Sequence, residues 1–164
     1  MLKTKERQCN AEVVLVEPEI PQNTGNIART CAALGCPLHL IEPLGFSLDD
    51  KYLKRAGLDY WHLVEIKCYP NIEAFFEKHR NGGFFFLTKK VLRSFYEADL
   101  QTREKMYFFF GKETYGLPDT LIAQYPDNCF RIPMRCEARS LNLSNVVAVV
   151  LYEAFRQNGF PGLR

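Results

Sequence analysis

The chain has 164 residues, 47% of them hydrophobic, 13% aromatic and 24% charged, a balance that excludes a disordered polypeptide and fits one domain spanning residues 1–164. A net charge of +2 is too small to mark a nucleic-acid binder by itself, and no apolar run approaches the roughly 18 to 20 residues that span a bilayer. The six cysteines are scattered without a C-x-x-C pair and nothing reads as a signal peptide, so reduced thiols in the cytoplasm are expected and a membrane role is not.

In chain order, the basic first ten residues read as a poorly ordered tail. Ala11 to Val16 is a short β-branched run that predicts a strand, followed by a Pro- and Asn-containing turn and a helical pattern beginning near Thr24. Leu38 to Ile41 predicts a second strand. Asp49 to Ala56 then reads as a helix with acids first and Lys51, Lys54 and Arg55 later, as the helix dipole favours. His62 to Tyr69 reads as a third strand, and Asn71 as the cap of a helix through His79. Gly83 to Thr88, Met106 to Phe110 and Cys129 to Pro133 are dense apolar strands without alternation, the signature of burial on both faces. A last helix starts between Ser140 and Ser144, repeats apolar residues at Leu143, Val146, Val147 and Val150, and stops at Asn158, Gly159 and Pro161. Strands alternating with helices predict an α/β fold on a parallel sheet, with ligands beyond the carboxyl ends of the strands.

Several chemistries lack their parts. No G-x-G-x-x-G follows the first strand, so the ordinary dinucleotide site is absent, and Gly111-Lys112-Glu113-Thr114 lacks the upstream glycine and the Ser/Thr after lysine of a phosphate loop. The three histidines, His39, His62 and His79, have no metal-ligand spacing and no nucleophile elbow beside them, so neither a metal nor a triad is expected.

Three strand-end loops carry residues suited to ligand contact. Pro21 to Arg29 places Asn23, Gly25 and Asn26 at a helix start, where free N–H groups suit a phosphate, although capping by Asn23 or Thr24 accounts for part of the pattern. Gly111 to Pro118 follows a buried strand with two glycines five apart, and reads equally as a backbone cradle for a flat ligand or a tight turn with positive φ at each glycine. Arg131 to Asn145 crowds Ser140, Asn142, Ser144 and Asn145 at the front of the last helix, where one cap would suffice.

At these loops the sequence resembles the SPOUT superfamily of knotted, S-adenosylmethionine-dependent RNA methyltransferases, through PEIPQNTGNIART, FFFGKETYGLP, RIPM and RSLNLSNVVAVVLYEAFRQ, with LKRAGLDYW between them. Within it the chain looks most like the minimal, single-domain enzymes that methylate the 2′-hydroxyl of the tRNA wobble nucleotide. The resemblance implies a deep trefoil knot in the carboxyl-terminal third, a homodimer, and a pyrimidine target at the wobble position of leucine tRNAs. It implies that Leu87, Gly111, Ile132 and Ser140 contact the cofactor, with main-chain groups around Gly111, Ile132 and Met134 reading adenine. Glu113, Gly116, Leu117, Leu141, Asn142 and Asn145 would line or support the pocket, and Val146 stands where the family often carries alanine.

The resemblance also marks Arg29, Asn23 and Asn142 as the catalytic set. A guanidinium has no acceptor, so Arg29 is expected to grip a phosphate and stabilise the developing oxyanion while Asn23 orients the ribose and a substrate phosphate takes the proton. Lys51, Lys54, Arg55 and Arg139, together with Lys89, Lys90, Arg93 and Arg135, are candidates for a basic RNA-binding surface, although each alone reads as a solvated side chain. Tyr152 reads either as a base-stacking group or as packing in the dimer, as would a last helix exposing Val150 or Phe155. The alternatives are a sibling activity on another tRNA or rRNA position, and a non-catalytic RNA-binding or ribosome-assembly factor.

Overall fold

The computed structural model describes residues 9–49, 51, 55, 60–102 and 104–164. The expected tail up to residue 8, Lys54 and most of the helix read over 49–56 lie outside the described residues.

Six strands form one parallel sheet: β1 (Ala11–Val16), β2 (Leu38–Ile41), β3 (Ile66–Tyr69), β4 (Gly83–Leu87), β5 (Met106–Phe110) and β6 (Cys129–Phe130). Their spatial order is β3-β2-β1-β5-β4-β6. The central pair explains the unalternated apolar runs, because every residue of β1 and β5 is buried.

On one face, α1 (Pro21–Leu34) and α4 (Leu143–Gln157) pack Ile27, Ala28, Cys31, Val147, Leu151 and Ala154 onto Val13, Leu15, Phe108 and Phe110. On the other, α2 (Ile72–Lys78) and α3 (Asp119–Gln124) bring Phe75 and Leu121 to Val14, Val16, Phe86 and Phe109. Odd and even strand residues thus serve opposite cores, as the period of two requires. Asn71 caps α2 as expected, accepting from the Ala74 N–H at 2.8 Å.

Three boundaries and one expected exposure differ from the sequence reading, each for a structural reason. The third strand begins at Ile66, after a single 3-10 turn at Trp61–Leu63, because its four-residue partner β2 offers register positions only from Leu38↔Ile66 to Ile41↔Tyr69. The sixth strand ends at Phe130, where its neighbour β4 ends at Leu87, and Arg131 turns instead to Ser94 through an isolated bridge. α1 starts at Pro21, one turn before Thr24, because proline at the first helical position needs no N–H acceptor. The last helix does not expose Val150 or Phe155; these are only 0% and 3% accessible and pack against the sheet within the same chain.

A polar chain, buried at Glu12, His39, Tyr69 and Tyr107, runs along the α2 face of the sheet. Lys105 Nζ reaches Glu12 Oε1 at 2.7 Å, Glu12 Oε2 meets His39 Nε2 at 2.6 Å, and His39 Nδ1 meets the Tyr69 hydroxyl at 3.1 Å. Tyr69 meets His79 Nε2 at 2.9 Å, and His79 Nδ1 meets the Tyr107 hydroxyl at 2.9 Å. Two of the three histidines are thus structural, and His62 is exposed. All six cysteines are free.

Candidate active site

The carboxyl ends of β4, β5 and β6 run into one cavity of about 340 Å³, within the usual range for a small-ligand pocket. Leu87 and Thr88 enter it from β4, Gly111 from β5, Ile132 and Met134 from the segment after β6, and Ser140 to Leu143 from the approach to α4. Asn23 and Ile20 border it from the start of α1.

The turn after β5 is built on two glycines with different duties. A Cβ on Gly111 would sit 1.9 Å from the Gly116 carbonyl carbon and 2.0 Å from the Leu117 nitrogen, so only glycine permits the chain to fold back there. Gly116 faces open space but holds φ at +72°, and its N–H closes the turn on the Lys112 carbonyl at 2.8 Å. Of the two readings of this loop the structure shows elements of each: one positive-φ glycine rather than two, in a turn whose main chain lines the cavity.

Reciprocal bonds lock this turn to the loop after β1. The Glu113 carboxylate accepts from the N–H groups of Glu19 at 2.8 Å and Ile20 at 3.2 Å, and from Asn23 Nδ2 at 3.1 Å. Ile20 is the N-cap of α1 and has no side chain that can accept, so a carboxylate 93 positions away serves the helix start instead. In return, Thr114 donates to Glu19 Oε2 through its N–H at 3.1 Å and its hydroxyl at 2.8 Å, and Lys112 reaches Glu17 at 2.7 Å. That bond to Glu17 raises the Lys112 ammonium above its ordinary value and keeps it charged.

The chain of contacts continues into the third loop. Asn142 Nδ2 donates to Asn23 Oδ1 at 3.0 Å, while Asn142 Oδ1 caps α4 by accepting from the Ser144 N–H at 2.9 Å and hydroxyl at 2.6 Å. Neither Asn23 nor Thr24 caps its own helix, and Asn23 is buried. The surplus of asparagines therefore has a use: one asparagine bridges two loops and the other both bridges and caps.

Of the predicted cofactor residues, Leu87, Gly111, Glu113, Gly116, Ile132, Met134, Ser140 and Leu141 line the cavity, as do Asn23, Asn142 and Val146. Leu117 does not; it is buried behind the turn, in the core under α3. Asn145 is exposed on the first turn of α4, outside the lining. Arg29 is also outside it, solvent-exposed with its guanidinium 4.8 Å over the Tyr60 ring. Lys51, Arg55 and Arg139 are exposed, and Tyr152 is half exposed beside Phe160. The sequence reading did not assign Ile20, Thr88, Lys112, Thr114, Tyr115 or Leu143 to the lining; Thr88 directly follows β4, and the others stand within or next to the loops it singled out.

The cavity fits S-adenosylmethionine by the chemistry of its walls. Leu87, Ile132, Met134 and Leu141 give apolar surface for a flat adenine, and the glycine turn exposes main chain where side chains would otherwise intrude. Among the described residues no group of His, Cys, Asp or Glu could hold a metal ion, and no helix is long and apolar enough to cross a membrane.

The sequence profile of the SpoU rRNA Methylase family matches residues 10–152, nearly the whole chain. The chain belongs to this family. Among SpoU relatives, a protein of Geobacillus stearothermophilus is 54% identical over 152 residues, covering 92% of this chain and 97% of its own. The tRNA (cytidine(34)-2′-O)-methyltransferase of Yersinia pestis is 47% identical over 156 residues, covering 92% and 95%. A solved structure concerned with the 2-OH methylation of C/U34 on tRNA matches with a TM-score of 0.84 at 48% identity, covering 90% of this chain and 95% of the other. The SpoU fold thus extends over the whole described sheet, and the cavity lies where its strands end.

Proposed function

We propose that this SpoU methyltransferase transfers a methyl group from S-adenosylmethionine to the ribose 2′-hydroxyl of a pyrimidine at the wobble position of tRNA, with leucine tRNAs as expected substrates. The observation that carries the reading is the Glu113–Asn23–Asn142 chain of hydrogen bonds at the mouth of a main-chain-lined cavity. Relatives of nearly equal length that are named for this reaction at position 34 support the substrate.

When bound, S-adenosylmethionine supplies an electrophilic methyl group on a sulfonium. The protein's part is alignment, holding the hydroxyl oxygen in line with the methyl group and the sulfur. After its bonds to Glu113 and Asn142, Asn23 keeps one N–H and one oxygen lone pair, enough to hold a ribose by donating and accepting at once. Glu113 accepts only, so it forces the Asn23 nitrogen toward itself and the oxygen toward Asn142. Arg29 is assigned to a phosphate and the developing oxyanion; standing outside the cavity, it is free to act on RNA without holding the cofactor.

The same reading includes a homodimer, a trefoil knot formed by the segment that follows β6, and a cytoplasmic site of action. Ala148, Val149 and Tyr152 leave a partly exposed stripe on α4, which suits a partner helix. Basic residues Lys51, Lys54, Arg55 and Arg139 are assigned to the RNA backbone.

The test is transfer of label from S-adenosylmethionine to unmodified total tRNA, with the labelled nucleotide mapped by mass spectrometry. Label on the wobble ribose is the expected result. Label on another tRNA or on rRNA would replace the substrate and keep the chemistry, and cofactor binding without transfer would leave a binding-only factor.

A further inference from the structure

Three large apolar side chains stand exposed around the mouth of the cavity, each from a different loop: Ile20 at 41%, Tyr115 at 78% and Leu141 at 42% accessibility. Tyr115 is the least accounted for. Among the described residues the other exposed tyrosines, Tyr96 and Tyr152, each lie against a phenylalanine ring. Tyr115 instead sits at the tip of the turn between Gly111 and Gly116, where Thr114 to Glu19, Lys112 to Glu17 and Gly116 to Lys112 fix the backbone on both sides of it. The ring is thus held mostly bare in water on a braced turn, with no ring contact of its own among the described residues.

We propose that Tyr115 is a stacking platform for the base of the nucleotide whose ribose is methylated. This rests on the RNA reading of the site given above. The base is attached to C1′, the carbon next to the one bearing the 2′-hydroxyl, so a hydroxyl brought to the cavity carries its base to the rim. Every nucleobase offers an apolar π-face to a tyrosine ring, and such stacking tolerates cytosine and uracil alike. Three lysines border the cavity; Lys90 is paired with Asp119 and Lys112 with Glu17, and Lys89 is the one placed to meet a phosphate of the strand. Ile20 supplies a second apolar surface, so a base swung out of its stack is received rather than left in water.

The experiment is steady-state methyl transfer to tRNA by the full-length protein and its Tyr115→Ala and Tyr115→Phe variants, with the labelled nucleotide mapped in each case. Cofactor affinity is measured by calorimetry and oligomeric state by gel filtration. Tyr115→Ala is expected to raise the KM for RNA by about tenfold, and Tyr115→Phe to stay within about twofold of the parent. Cofactor affinity is expected to change by less than the KM for RNA, and the oligomeric state to stay as it is in the parent. The same assay on an RNA made abasic at the mapped nucleotide should give equal KM values for parent and Tyr115→Ala, a convergence that a structural role would not produce. An unchanged KM in Tyr115→Ala, a gap that persists on abasic RNA, or a lost dimer would each overturn the stacking role while leaving the methyltransferase reading in place. Absence of label from the parent protein on any RNA would instead bring down that reading, and the platform with it.

Discussion

Asn23 and Asn142 lie 119 positions apart in sequence and share a 3.0 Å hydrogen bond between their side-chain amides. Because Glu113 can only accept, Asn23 must present its nitrogen there and its oxygen to Asn142, which in turn must donate with its nitrogen and cap α4 with its oxygen. One carboxylate thus sets the polarity of two amides and the geometry of three loops.

Replacing Glu113 by Ala is therefore expected to do more than trim the cavity wall. It leaves the N–H groups of Glu19 and Ile20 and the Asn23 amide without their acceptor, a loss of about 1 to 3 kcal/mol in stability. Asn23 is then free to flip, and cofactor affinity should fall with it. Urea unfolding and calorimetry with S-adenosylhomocysteine check the two effects separately.

The two glycines of the turn should respond differently to the same substitution. Gly111→Ala places a methyl group within 2.0 Å of the Leu117 nitrogen, which forces the turn open and should abolish cofactor binding at a cost of several kcal/mol, ~3 or more. Gly116→Ala meets nothing within 4 Å and pays only for its φ of +72°, about 1 to 2 kcal/mol. Thermal melting of the pair, with and without cofactor, should show the first variant insensitive to ligand and the second still stabilised by it.

Much of this arrangement was legible in the sequence, and what was not has a common cause. The apolar runs of β4 and β5 announced strands buried on both faces, which holds for all of β5 but in β4 only for Phe86 and Leu87, and the crowding of Asn23, Asn142 and Ser144 announced sites beyond simple capping. The carboxylate that holds the entry to α1 was hidden, because Glu113 reaches the Glu19 and Ile20 N–H groups only once β5 lies beside β1. The shortened β3 and β6 follow from the length of the strands beside them, information that no local pattern carries. Leu117 shows the same limit: the motif placed it in the pocket loop, but the turn that frees Gly111 directs it into the core.

Arg29→Ala should separate binding from chemistry. The guanidinium stacks on Tyr60 and does not line the cavity, so cofactor affinity is expected to stay within about twofold while transfer falls by about a hundredfold or more. Single-turnover transfer at saturating cofactor and RNA is the measurement. A parallel collapse of cofactor binding would show that Arg29 serves the pocket after all.

The polar chain from Lys105 through Glu12, His39, Tyr69 and His79 to Tyr107 should make the fold acid-sensitive. Burial would raise the Glu12 carboxyl, but hydrogen bonds from His39 and Lys105, reinforced by their charges, bring it from 4.5 down to about 2. Burial and the neighbouring His39 lower His79 below its usual 6.5. Both groups are thus less readily protonated in the folded chain than in the unfolded one, so the unfolded state takes up protons first as the pH falls. The His79 contribution is full above 6.5 and begins to be lost below it; that of Glu12 is full above 4.5 and disappears as the pH approaches 2. A carboxyl carried that far is worth roughly 3 kcal/mol at about 1.4 kcal/mol per pH unit. Glu12→Gln should abolish the steep loss between 4.5 and 2, at the price of lower stability near neutrality, where Gln cannot match the carboxylate between Lys105 and His39. Urea midpoints measured from pH 7 down to pH 2 should converge for the two proteins at the acid end; parallel curves would mean that Glu12 does not control the acid limb.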